Sequence, residues 1–140
     1  MDKNSFKKEW ITTTIVDDTV LFAEWFGKHL CNAFQDTKTQ QWKAGQNAMT
    51  TSQVRNIYGE IKRIQAKGFD KEKSSFLLLR PKLAYAEARV TQKSRESRIA
   101  DFRQVIEKAL LQVTDEKHFK NFVDFFEATL AYHKYYGGKD

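Results

Sequence analysis

The sequence predicts an all-α protein, a single-domain bundle of about five helices, and three observations carry that expectation. Apolar residues recur at three- and four-residue spacing in successive runs along the chain. Breakers are scarce, with one proline and six glycines in 140 residues. No run of useful length alternates apolar and polar residues as a half-buried strand would. A chain of this size holds one ordinary core, so residues 1–140 are read as one helical domain, with 1–14 as an N-terminal segment.

Asp17 and Asp18 open a first helix that runs to about Phe34, with Val20, Leu21, Trp25, His29 and Leu30 toward the inside. Residues 35–49 are rich in Gln, Thr and Lys and read as a long, partly disordered loop whose strong anchor is Trp42. Thr50, Thr51 or Ser52 caps a second helix, which carries the stripe Val54, Ile57, Tyr58, Ile61 and Ile64 and closes at Gly68 after Lys67. A third segment, 71–90, contains Pro81, which removes a donor and crowds the preceding turn, so a kink or restart is expected there. Phe76, Leu79, Leu83, Ala86 and Val90 keep one phase across it, which favours a bent helix over two unrelated ones.

A polar break over 91–97 leads to a fourth helix, 98–113, with Ile99, Phe102, Ile106, Ala109, Leu110 and Val113 inside. Thr114 is the expected cap of the fifth, with Asp115 and Glu116 in its first turn. That last helix is the most aromatic part of the chain and stops at Gly137-Gly138. Phe119, Phe122, Val123, Phe126 and Leu130 form one stripe, and Phe125, Tyr132 and Tyr136 widen it beyond what a surface helix needs. Such a helix is either buried on most sides or meets a partner as well as its own core. The second case implies self-association through its excess aromatic surface.

No stretch of 18 or more apolar residues is present, which excludes a membrane-spanning helix and any membrane role built on one. The N-terminal Met1-Asp2-Lys3-Asn4-Ser5-Phe6-Lys7-Lys8-Glu9 lacks the apolar core of a signal peptide. Cys31 is the single cysteine and has no partner for an intrachain disulfide, so a reducing cytoplasmic home is the simplest inference.

Catalytic and metal chemistry find little to stand on. His29, His118 and His133 are 89 and 15 residues apart, which matches no compact ligand spacing. His133 lies on the apolar stripe and reads as a hydrogen-bonded core histidine. Asp17 and Asp18 suit the helix dipole, and Asp124 and Glu127 share a face with Lys120 and Lys134, where pairing explains them. On a helix His29 and Cys31 point about 200° apart, too far for a thiolate–imidazole couple. There is no glycine-rich phosphate loop, no GxSxG and no paired acid and base, so no enzyme, no cofactor and no metal site are expected.

Charge is where the chain is distinctive. Its net charge is +6, yet residues 51–98 hold 12 Lys and Arg against 5 Asp and Glu, so the remainder is slightly acidic. Clustered cations suit a polyanion. On the second helix Arg55 and Lys62 are seven residues apart on one flank, with Gly59 and Ala66 close by and Arg63 and Lys67 beyond. A glycine between cations lets a sugar–phosphate backbone come close. The competing structural reason for Gly59 is close helix–helix packing. On the third segment Lys82 and Arg89 repeat the seven-residue spacing, and Arg80 sits by the kink.

Three blocks carry a family resemblance. They are Thr50-Thr51-Ser52-Gln53-Val54-Arg55-Asn56-Ile57, Leu79-Arg80-Pro81-Lys82-Leu83-Ala84-Tyr85-Ala86-Glu87-Ala88-Arg89 and Phe126-Glu127-Ala128-Thr129-Leu130-Ala131-Tyr132-His133-Lys134-Tyr135-Tyr136. In this order they resemble the small subunit of type III-A CRISPR interference complexes, the Csm complex small subunit, over residues 50–138. The resemblance implies a compact α-helical subunit, present in several copies, that stacks in a ribonucleoprotein filament for antiviral defence. It would line the channel holding guide RNA and target RNA, leaving the cutting to other subunits of the Csm complex. The family's arginines fall on Arg55 and Arg89; Lys62, Arg63, Lys67, Arg80 and Lys82 join them from helical geometry alone.

The mechanism this implies is sequence-independent. Cations neutralise phosphates while base pairing of the guide reads sequence. Self-association, as a homodimer or by filament stacking, accompanies it. The alternative is a scaffold or adaptor subunit that touches only proteins. A metal-dependent nuclease built on scattered carboxylates is the more distant rival.

Overall fold

The structure is a computed structural model that describes residues 1–91 and 97–138. In chain order it contains α1 (Glu9–Thr12), α2 (Asp17–Leu30), β1 (Phe34–Gln35), β2 (Trp42–Lys43), α3 (Thr51–Lys67), α4 (Lys73–Leu77), α5 (Leu79–Thr91), α6 (Ile99–Leu110) and α7 (Glu116–Tyr135). Single 3-10 turns lie at Lys3–Ser5 and Phe69–Lys71. The all-α reading holds, with β1 and β2 forming a two-residue antiparallel pairing, Phe34 opposite Lys43. The polar break expected over 91–97 falls chiefly on residues 92–96, outside the described residues.

α7 is the centre of the bundle. It packs against α1, α2, α3 and the turn at Phe69–Lys71. Phe119, Phe122, Val123, Phe125 and Phe126 are all buried, so most of the aromatic surface of this helix is used inside the protein. Phe22 and Phe6 pack on Phe125, Tyr58 stacks on Phe126, and Phe69 and Phe76 meet Phe119. This helix leaves the aromatic side chain of Tyr135, 64% exposed, on the surface. Its cap is Asp115, whose carboxylate accepts the His118 N–H at 2.8 Å, and not Thr114. At the other end Gly137 takes φ 102°, and the Gly138 N–H donates to the His133 carbonyl at 2.9 Å, a Schellman stop.

α2 corrects a second expectation. Its buried face is Thr19, Phe22, Ala23, Phe26, Gly27 and Leu30, whereas Val20 and Leu21 are exposed. The reason is the closeness of α2 to α7: a Cβ on Gly27 would stand 2.6 Å from the His133 backbone nitrogen. Small residues take the line of closest approach, and the large ones flank it. The helix also ends at Leu30, where Asn32 turns left-handed at φ 44°, so Phe34 lies beyond it. The N-terminal segment joins this core, because Trp10 and Ile11 are buried and the Asn121 side-chain amide donates to the Ile11 carbonyl at 2.9 Å.

α3 begins at a capping box in which Thr50 Oγ1 accepts the Gln53 N–H at 3.2 Å and Gln53 Oε1 accepts the Thr50 N–H at 2.9 Å. Its expected stripe is buried, with Tyr58 partly so. The third segment restarts at Leu78, between α4 and α5, because the Pro81 ring cannot share space with the Leu77 carbonyl of a continuous helix. α6 ends at Leu110, short of the expected 113; it buries Ile99, Phe102, Ile106, Ala109 and Leu110 as expected and Val105 too, while buried Val113 lies beyond it. In the 35–49 segment Trp42 packs edge-on against Tyr136 at 5.1 Å with Lys28 Nζ 4.3 Å above it. Fully buried Met49 is a second anchor, its carbonyl accepting from His133 Nε2 at 2.6 Å.

Candidate nucleic-acid interface

α3 lies between α7 on one flank and α5 on the other, and the candidate cations divide between those flanks. Arg55 and Lys62 are on the α7 side. There a shallow groove of about 260 Å³ is lined by Thr51, Arg55, Tyr58, Glu127, Leu130 and Lys134. Lys62 Nζ reaches Glu127 Oε1 at 3.2 Å and Gln65 Oε1 at 2.6 Å, and the Tyr58 hydroxyl donates to the same Glu127 oxygen at 3.1 Å. Burial first, and then that bond to Glu127, pushes the Tyr58 phenol upward. Thr51 Oγ1 is buried in this groove wall with no hydrogen-bond partner among the described residues. Lys134 makes no ion pair among the described residues. It was missed as a candidate because its helical spacing from Glu127 suggested a pair, which Lys62 takes instead.

Arg63, Lys67, Lys82 and Arg89 belong to the α5 side. Arg63 pairs with Glu60 at 2.7 Å and Glu72 at 3.5 Å, and Lys82 reaches across from α5 to Glu60 at 3.4 Å. The Arg63 hydrogen bond is the main reason that the Glu60 carboxyl sits below the usual range, with Lys82 adding to it. Glu72 is lowered chiefly by Ser75, and Lys67 contributes through charge. Arg89 lines a groove of about 390 Å³ between α3 and α5 with Ser52, Gln53, Asn56 and Ala86, its guanidinium 5.8 Å from the Tyr85 ring centre.

Arg80 does not join either group. It lies on the opposite flank of α5, facing α6, where it pairs with Glu107 at 3.6 Å. Gly59 separates the two groups, and a Cβ there would meet nothing within 4 Å. Close helix packing is thus not the reason for that glycine. The cations Lys62, Arg63 and Lys82 are held by carboxylates, but at side-chain exposures of 43%, 39% and 51%. Ion pairs this wet contribute little and exchange readily for another anion.

The remaining titratable groups serve the fold. His29 Nε2 lies 2.6 Å from Asp101, which also takes Lys3 at 3.1 Å. His118 Nδ1 accepts the Thr114 N–H at 3.2 Å. Cys31 is buried, its thiol donates to the His133 carbonyl at 3.1 Å, and burial pushes its pKa up to about 11. Among the described residues no group of three or more His, Cys, Asp or Glu is placed to hold a metal ion. No described helix is long and apolar enough to cross a membrane.

The fold is that of a small helical bundle protein, and α3 and the helices beside it carry several exposed cations. A family model described as Csm2 Type III-A matches residues 23–139, and the chain belongs to that family. It is accordingly a subunit of the Csm complex of type III-A CRISPR defence, and it associates with other subunits of that complex. The match begins within α2, well before the first of the three sequence blocks. No curated protein and no solved structure matches the chain.

Proposed function

We propose that this subunit holds the sugar–phosphate backbone of guide RNA and target RNA without reading their sequence, while its copies stack along the complex. The observation that carries the reading is the band on α3: Arg55 and Lys62 on one flank, Arg63 and Lys67 on the other, and an open Gly59 between them. Lys134 extends that band onto α7, and Lys82 and Arg89 extend it onto α5. Arg80 is not part of it.

The test is salt-titrated binding of the full chain to several unrelated RNAs. Arg55→Ala is expected to weaken every RNA by a similar factor and to reduce the salt slope by about 1. Glu60→Gln, which releases Lys82 and leaves Arg63 with Glu72 alone, is expected to strengthen binding by at most about fivefold, because the pairs it breaks are weak. A loss confined to one sequence would contradict the reading. Binding that neither substitution moves would favour the protein-only scaffold, toward which the several carboxylate-held cations point.

A further inference from the structure

Charge alone does not account for the groove of about 390 Å³ between α3 and α5. Its floor, Ile57, Ala86 and Val90, is apolar. Arg89 stands on the α5 bank and makes no ion pair among the described residues. Its guanidinium lies 5.8 Å from the ring centre of Tyr85, one turn back on the same helix and 65% exposed. A planar cation backed by an aromatic ring is a stacking surface as well as a charge. The α3 bank is made of amides. Gln53 Oε1 is taken by the Thr50 N–H at 2.9 Å, so its NH2 is left to donate. Asn56, three residues on, is exposed, and its side-chain amide makes no hydrogen bond among the described residues.

We propose that this groove holds one unpaired nucleobase of the bound RNA, its face on the Arg89 guanidinium and its edge on the amides of Gln53 and Asn56. Tyr85 is the positioning residue that holds the guanidinium plane. A phosphate has no use for an apolar floor, and an apolar protein side chain would cover that floor while leaving both amides without partners. A base splayed out of a strand presents a flat face and polar edge atoms together, whereas a paired base has its face and edge already occupied. Stacking serves every base, and an amide can both donate and accept, so the site needs no particular sequence. The inference deepens the proposed function. It rests on RNA reaching the α3 band, and it changes Arg89 from a phosphate contact into a stacking one.

Binding of the full chain to three RNAs tests it: a continuous duplex, the same duplex with a single bulged 2-aminopurine, and that duplex with an abasic bulge. Wild type is expected to prefer the 2-aminopurine bulge over both others by at least about fivefold and to quench its fluorescence. Arg89→Lys keeps the charge and loses the plane, so it should erase the preference while leaving the salt slope as it was. Tyr85→Ala, at an exposed position, should diminish the preference, and Tyr85→Phe should keep it. A bulged base that gains nothing over the abasic bulge overturns the proposal, as does an Arg89→Lys chain with the wild-type ratio of affinities. If Arg55→Ala reduces the salt slope but no bulge is preferred, the base site fails and the phosphate grip stands. If the bulge is preferred and Arg55→Ala moves neither affinity nor slope, the phosphate grip fails and the base site stands. Binding to none of the three RNAs overturns both.

Discussion

α7 and α3 are the two longest helices, and they spend their surfaces differently. α7 is enclosed by α1, α2 and α3, with Phe122, Phe125 and Phe126 essentially without solvent exposure. α3 buries only Thr51 and the row Val54, Ile57, Ile61 and Ile64 and leaves Arg55, Gly59 and Arg63 facing outward. The first helix makes the protein and the second makes its surface chemistry. Aromatic density in a sequence therefore marks the centre here, while the cationic band proposed to bind RNA sits on a helix whose apolar stripe is narrow. The contrast can be broken experimentally: changes on α7 should move stability and leave affinity alone, and changes on α3 should do the reverse.

The largest expected effect is on α7. Phe122→Ala removes a ring that packs on Phe76 and Phe126, in a site with no room to refill from solvent. A loss of about 3–5 kcal/mol of unfolding free energy is expected, read by chemical denaturation. The folded fraction should bind RNA with unchanged salt dependence. A loss below about 1 kcal/mol would mean that α7 is not the centre the packing describes.

A smaller effect concerns acid. His133 is fully buried on α7, its Nε2–H donating to the Met49 carbonyl at 2.6 Å and its Nδ1 without a partner among the described residues. Burial pushes its pKa below the ordinary 6.5; the Lys134 charge acts the same way, and the Met49 bond opposes them. On acidification the unfolded chain thus takes up the proton first. The stability His133 supplies is complete above 6.5 and is lost as pH falls below it. His133→Gln keeps a donor for Met49 and removes the titration. Its unfolding free energy should fall less between about pH 7 and about pH 5 than that of wild type. Parallel profiles would show that this imidazole does not govern the acid response.

Legibility followed the same divide. The stripes of α3 and α6 were readable because each buries one face, and one face is what a 3.6-residue period reports. α2 was misread in phase because its inner face mixes Phe22 and Phe26 with Ala23 and Gly27, and apolar size is no guide where backbones nearly touch. For the band, spacing gave Arg55 with Lys62 and Lys82 with Arg89 correctly as shared flanks. It could not say which flank faces which neighbour. Hence spacing alone sets Arg80 among cations on the other flank of α5 and leaves out Lys134. Contacts between helices, unlike contacts along one, leave no period in the chain.

The smallest expected effect discriminates most finely, because its two readouts move in opposite directions. Gly59 lies in the interior of α3, where glycine costs about 0.5–1 kcal/mol relative to alanine. A methyl added there would touch nothing within 4 Å, so no packing penalty offsets that gain. Gly59→Ala should therefore raise stability by about that amount. If an RNA backbone approaches between the Arg55–Lys62 and Arg63–Lys67 flanks, the same methyl stands in its way, and affinity should fall at every sequence alike. A variant that gains stability and keeps full affinity would show that the cations act from the flanks alone, with the backbone passing at side-chain distance.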